Sequence, residues 1–225
     1  MIVINNLIKS FGKKQVLKGV NLNFEPGKIY GVVGKNGAGK TTLFNCIAGL
    51  ERYDGVISAP YENLKNQLGL LETNPIFMSH ITGWEYLKLY CIARGITTDD
   101  FESRNIFALP LKEYANTYST GMKKKLALMA VLLQNNEVFI LDEPFNGVDI
   151  QSNIMISAII EELKRKGKTV IISSHIFSTL SDSCDTIFLI KDGVISKTAM
   201  KAQYADLEDE MKKDIVGGEI ERLML

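Results

Sequence analysis

The chain has 225 residues, 46% of them hydrophobic, which is core enough for one large α/β domain or a domain with a small subdomain and excludes disorder as the default state. Its 26 basic residues balance 26 acidic ones, so no global field draws it to nucleic acid or anionic lipid. Three scattered cysteines (Cys46, Cys91, Cys184) and two histidines (His80, His175) support neither a disulfide framework nor a zinc site, and they point to a reducing compartment.

Period-2 alternation over Val20, Leu22 and Phe24 predicts a strand, "EPGK" a turn, and "IYGVV" a buried strand. From Lys40 the period becomes helical, with Leu43, Ile47 and Leu50 in step, until "RYDG" ends that helix before a short strand. Thr82 and Glu85 form a capping box for a helix to about Arg94, which opens a helical stretch running to about Gln134. The strand "VFIL" (138–141), a helix over 150–166, the strand "TVIIS" and a helix over 176–183 alternate as βαβ units do. "TIFLIKDGVIS" then folds back at Asp192 and Gly193 as a hairpin. The polar "KKDIVGGE" predicts a loosely held tail.

The architecture expected is α/β, a mostly parallel sheet with an N-terminal antiparallel β segment. Its core covers residues 1–74 and 136–225, interrupted by a helical subdomain at about 75–135. The longest apolar run, Leu126 to Leu133, is far short of the roughly 20 residues that cross a bilayer. The N-terminus lacks a charged and apolar signal, so the chain reads as soluble by itself.

"GKNGAGKT", Gly34 to Thr41, fits the phosphate-loop pattern, and it follows a buried strand and precedes a helical period. Backbone N–H groups of Gly34, Lys35, Asn36, Gly37, Ala38 and Gly39 can curl around an anion, with Thr42 continuing the helix. Lys40 can reach the β- and γ-phosphates of a nucleotide, and the Thr41 hydroxyl can ligate Mg²⁺. "VFILDEP" puts Asp142 and Glu143 at the C-terminal edge of the sheet, where open α/β sheets bind ligands. Asp142 suits the Mg²⁺ shell, and Glu143 can accept the proton of a water attacking the γ-phosphate. His175, after "TVIISS", projects from the same edge, where it can hydrogen-bond a γ-phosphate oxygen or orient the water.

"YSTGMKKKL", Tyr118 to Leu126, reads as a helix start with Ser119 as N-cap. Helix N-termini favour anions, so three lysines just inside one lose a little stability unless an anion meets them.

The order phosphate loop, "STGMKKKL", "ILDEP", "NGVD", "SSH" resembles the ATP-binding subunit of an ABC transporter over nearly the whole chain. The resemblance implies a P-loop ATPase using ATP and Mg²⁺, in which "STGMK" is the signature motif. Its helix N-terminus would bind the γ-phosphate of ATP held by a second cassette, an identical or related chain, in a head-to-tail dimer. The family usually has Leu-Ser-Gly-Gly-Gln there; this chain has Tyr118, Ser119, Thr120, Gly121 and Met122, and Ser119 and Gly121 are the contacts carried over. Asp149 in "NGVD" matches the loop that meets the opposite subunit, and Phe11 matches the aromatic that stacks on adenine. The family usually places a glutamine after the strand "LGLL"; Glu72 or Thr73 takes that place, and Glu72 is the expected metal ligand because a carboxylate accepts from metal-bound water.

The resemblance further implies a separate transmembrane permease, reached through the helical subdomain and the loop after Glu72, with the cassette peripheral on the cytoplasmic face and no nucleic-acid partner. "YSTGMKKKL" is more similar to cassettes of drug, antibiotic, lipid or polysaccharide exporters than to those of importers. The alternative is a soluble cassette in DNA repair, translation or iron–sulfur assembly. Against the first two stand the lack of long heptad repeats, the single phosphate loop and the zero formal charge.

Overall fold

The computed structural model describes residues 1–216. Strands β1 (Ile2–Phe11) and β2 (Lys14–Phe24) form an antiparallel hairpin. β3 (Ile29–Val33) enters a second sheet, and α1 (Lys40–Ile47) follows it. β4 (Asp54–Ser58) returns to pair antiparallel with β1, giving a three-stranded sheet. β5 (Leu68–Leu71), α2 (Gly83–Ile92), α3 (Thr120–Leu133), β6 (Val138–Asp142), α4 (Ile150–Arg165) and β7 (Thr169–Ser174) come next. The short α5 (Ser178–Ser181), β8 (Thr186–Lys191), β9 (Val194–Met200) and α6 (Tyr204–Val216) complete the described chain.

The second sheet has the order β5-β6-β7-β3-β8-β9, parallel except for the β9 edge. Both of its faces are covered, as a parallel sheet requires. Tyr30, Val32, Ile140 and Ile171 pack with the N-terminal sheet and with Leu43 and Phe44 of α1. The alternate residues Val33, Leu141 and Ile172 pack with Leu128 of α3 and Ile156 and Ile160 of α4. A third cluster, including Leu87, Phe101, Leu111 and Leu126, fills the helical region.

The capping box forms as read, with the Glu85 N–H donating to Thr82 Oγ1 at 3.2 Å and the Thr82 N–H to Glu85 Oε2 at 2.8 Å. Asp192 and Gly193 carry φ of 50° and 84°, the left-handed pair that turns a two-residue hairpin. Other expectations differ. α1 ends at Ile47, because Gly49 takes a φ of 69° just beyond it, and Leu50 is left 62% exposed rather than on the helix face. Residues 95–119 are mostly irregular rather than helical: the Asn105 side chain binds the Leu109 backbone in both directions, and Ala108 takes a φ of 49°. Of the predicted tail, residues 212–216 continue α6, and the rest lies outside the described residues. Cys46, Cys91 and Cys184 are free and buried.

Candidate active site

The turn after β3 is built for close backbone approach. Gly37 and Gly39 have φ of 82° and 112°, and a Cβ on Gly34 would lie 2.4 Å from the Ile190 carbonyl oxygen. α1 then begins at Lys40 with no side-chain cap and no acidic residue in its first turn, so its end presents a positive dipole and unpaired N–H groups. A cavity of about 290 Å³ adjoins that end, lined by Asn36, Gly37, Gly39, Lys40, Thr41 and Thr42 together with Glu143 and His175. Gly34, Lys35 and Ala38 instead face a second hollow against Leu189 and Met211. Lys40 Nζ donates to the Gly34 carbonyl at 2.7 Å and stands 3.6 Å from Glu143 Oε1.

β6 and β7 end side by side and bring the acids to this cavity. Thr41 Oγ1 donates to Asp142 Oδ2 at 2.6 Å, Thr73 Oγ1 to the same oxygen at 2.7 Å, and the Ser173 hydroxyl to Asp142 Oδ1. Thr41, Thr73 and Asp142 thus form a hard-oxygen donor set. Glu72 is not part of it, contrary to expectation: it is exposed and lines a different cleft, with Leu50, Tyr86 and Tyr90. β5 ends at Leu71, and the chain bends at Thr73, which brings the Thr73 hydroxyl to Asp142 and leaves Glu72 on the cleft side.

Glu143 has a φ of 51°, a conformation costing a non-glycine residue about 1–3 kcal/mol, and its peptide is held at both ends. Its N–H donates to Ser173 Oγ at 2.9 Å, and its carbonyl accepts from the Asn146 N–H at 3.1 Å and from Lys124 Nζ at 3.0 Å. Its carboxylate Oε2 lies 3.0 Å from His175 Nδ1.

At the start of α3, the Met122 N–H donates to Ser119 Oγ at 3.2 Å, the cap read from the sequence. Two of the three lysines are not part of a basic face open to an anion. Lys124 is buried, and that burial pulls it down to about 8 against the Asp142 and Glu143 carboxylates. Lys125 Nζ donates to Asp149 Oδ2 and to Ser152 Oγ, both at 3.2 Å. Asp149 caps α4 through the Ser152 N–H at 2.8 Å, a bond that, with the Ser152 hydroxyl and Lys125, holds its carboxyl far below the usual range. A Cβ on Gly121 would sit 2.8 Å from the Gly147 carbonyl oxygen, so α3 and the loop before α4 touch through bare backbone. Ser119, Gly121 and Asp149 lie outside the lining of the cavity beside Lys40.

Phe11 is 47% exposed, with Lys9 Nζ 4.6 Å from its ring centroid, and it too is absent from that lining; Val16, on the same hairpin, is present. Val16, Asn146 and Ser173 are assigned no role by sequence pattern, and Lys124 stands out there only as one of three lysines at a helix start. Lys124 did carry a signal, standing four residues before Leu128 and seven before Val131, on the buried stripe of its helix.

A phosphate loop, an acidic strand end and a histidine on one sheet edge define a P-loop ATPase. The ABC transporter family description matches residues 17–146. The lantibiotic transport ATP-binding protein SrtF of Streptococcus pyogenes is 32% identical over 208 residues, covering 87% of this chain and 89% of SrtF. The bacitracin transport ATP-binding protein BcrA of Enterococcus faecalis is 32% identical over 206 residues, covering 86% and 67%. In fold, the chain is similar to the dimeric post-hydrolysis state of the ATP-binding cassette MJ0796 bound to ADP and Pi. That match has a TM-score of 0.80 at 20% identity and covers 89% of this chain and 99% of that one. The chain belongs to the ABC transporter family, as an ATP-binding, ATP-hydrolysing cassette.

Proposed function

We propose that this cassette powers an exporter, hydrolysing ATP between two cassettes arranged head to tail. The observation that carries the reading is that Ser119 and Gly121, at an exposed helix start, lie outside the lining of the cavity shared by Lys40 and Glu143. They remain available to close the nucleotide of a second cassette, with the Gly147–Val148 segment that leads to Asp149 against Gly121. The names of SrtF and BcrA, both antibiotic-peptide transport subunits, support export as the direction.

Within one cassette the loop from Gly34 to Thr42 binds the phosphates, with Lys40 on their oxygens. Thr41, Thr73 and Asp142 offer the oxygen donors that Mg²⁺ takes while keeping several waters, and the ion would supply charge neutralisation between the phosphates. Glu143 takes the proton of the attacking water. His175, 3.0 Å from Glu143 Oε2, orients that carboxylate and faces the γ-phosphate end of the cavity. Phe11, exposed on the hairpin that also carries Val16, stacks on the adenine.

No helix among the described residues is long and apolar enough to cross a membrane, so a permease supplies the path. A cleft of about 230 Å³ lined by Leu50, Leu70, Glu72, Pro75, Tyr86 and Tyr90, flanked by the 86% exposed Ile76, suits a short helix of that permease. The cassette then sits peripherally on the cytoplasmic face. Affinity recovery of the chain from native membranes should bring an integral membrane protein with it. Recovery with soluble assembly proteins alone would overturn the transport reading.

A further inference from the structure

We propose that Lys124 is a positioning residue for hydrolysis, gripping the Glu143 carbonyl from inside α3 so that the base stays in its left-handed turn facing the cavity. The proposal rests on the reading of Glu143 as the base. Lys124 is 1% exposed, and its Nζ donates to the Glu143 carbonyl at 3.0 Å. An ammonium taken out of water is costly, and an apolar residue of the same length would fill the space without that cost. A position that only had to be filled would favour methionine.

The atom it holds is well chosen for control of the base. Glu143 adopts a φ of 51°, which a glutamate leaves readily unless its peptide is pinned. Ser173 pins the N–H, and the Asn146 N–H binds the carbonyl from within the same turn. Lys124 is the donor that reaches that carbonyl from a different element. It comes from the helix that Ser119 caps, and the next residue, Lys125, ties that helix to Asp149 at the far end of the same loop. One helix thus contacts both the base and the loop that ends at Asp149.

The test compares Lys124→Met, Lys124→Gln and Glu143→Gln in the full chain, reading kcat and KM for ATP with Mg²⁺, nucleotide affinity by calorimetry and stability by urea unfolding. Lys124→Met should fold at least as stably as wild type. It should lower kcat by about tenfold to a hundredfold, part of the roughly 10²–10⁴ a positioned base supplies, with KM changing less than about twofold. Lys124→Gln keeps an N–H donor on a shorter stem and should recover part of kcat. Wild-type kcat in Lys124→Met would overturn the proposal. So would a parallel loss of kcat and nucleotide affinity in both Lys124 variants, which marks a general packing role. Undiminished turnover in Glu143→Gln would sink the base itself, a pattern distinct from either.

Discussion

Thr73 and Thr41 donate to the same oxygen of Asp142, at 2.7 and 2.6 Å, although one follows β5 and the other lies in the first turn of α1. Thr73, not Glu72, therefore joins the oxygen set at Asp142. Thr73→Val removes one hydroxyl at constant shape and should raise the Mg²⁺ concentration for half-maximal hydrolysis by about tenfold, the order of one lost polar contact. Glu72→Ala should leave that value unchanged in the isolated cassette. The reverse ranking, measured by phosphate release against Mg²⁺, would return the role to Glu72.

Phe11 is half in solvent beneath Lys9, so Phe11→Ala should leave the melting temperature nearly unchanged. Nucleotide affinity should weaken by about 1–3 kcal/mol, the value of one base stacked on an aromatic ring. Titration with ATP and with inorganic triphosphate separates the two: the variant should lose affinity for the first and keep it for the second. Equal loss for both would remove Phe11 from the adenine site.

Head-to-tail closure predicts that Glu143→Gln, which keeps nucleotide contacts but lacks the base, accumulates as a dimer with ATP. Ser119→Arg in that background should restore the monomer by light scattering, since Ser119 is exposed and the change removes an N-cap acceptor and adds bulk. Gly121→Asp is a less clean test, because any Cβ there meets the Gly147 carbonyl at 2.8 Å within its own cassette. A double variant Glu143→Gln, Ser119→Arg that still dimerises would show that this helix start does not meet a partner's phosphate.

The buried ammonium of Lys124 has a signature in the pH dependence of stability. Its folded-state value of about 8 lies below the ordinary 10.5, so between these the unfolded chain holds a proton that the folded chain has released. Stability from this group therefore rises with pH across that window and is lost as pH falls through about 8, below which both states are protonated. Lys124→Met should abolish the rise. Urea unfolding of nucleotide-free protein across the window should show the difference between wild type and variant shifting toward wild type as pH increases. Parallel curves would mean that Lys124 is solvated.

What was legible in the sequence was contiguous. Gly34 to Thr42 and the strand ending in Asp142 and Glu143 each carry their chemistry in one short run, so local pattern sufficed. The choice between Glu72 and Thr73 was not legible, because it depends on which of two neighbours turns toward Asp142 across the sheet. The lysines of α3 were misjudged for the opposite reason. Charge drew attention to the helix terminus, whereas the helical period already put Lys124 in line with Leu128 and Val131. Leu50 fell the same way, a periodic leucine that Gly49 removed from the helix.

The three native thiols are all buried, and burial pushes each upward, Cys46 to about 11. Thiol-reactive dyes attack thiolates at accessible positions, so the natural chain is close to silent toward them. A single cysteine placed at an exposed site such as Ser119 or Ile154 would then be the sole labelled position. Fluorophore pairs or short cross-linkers installed that way could follow two cassettes approaching and parting in real time, with every native cysteine left in place.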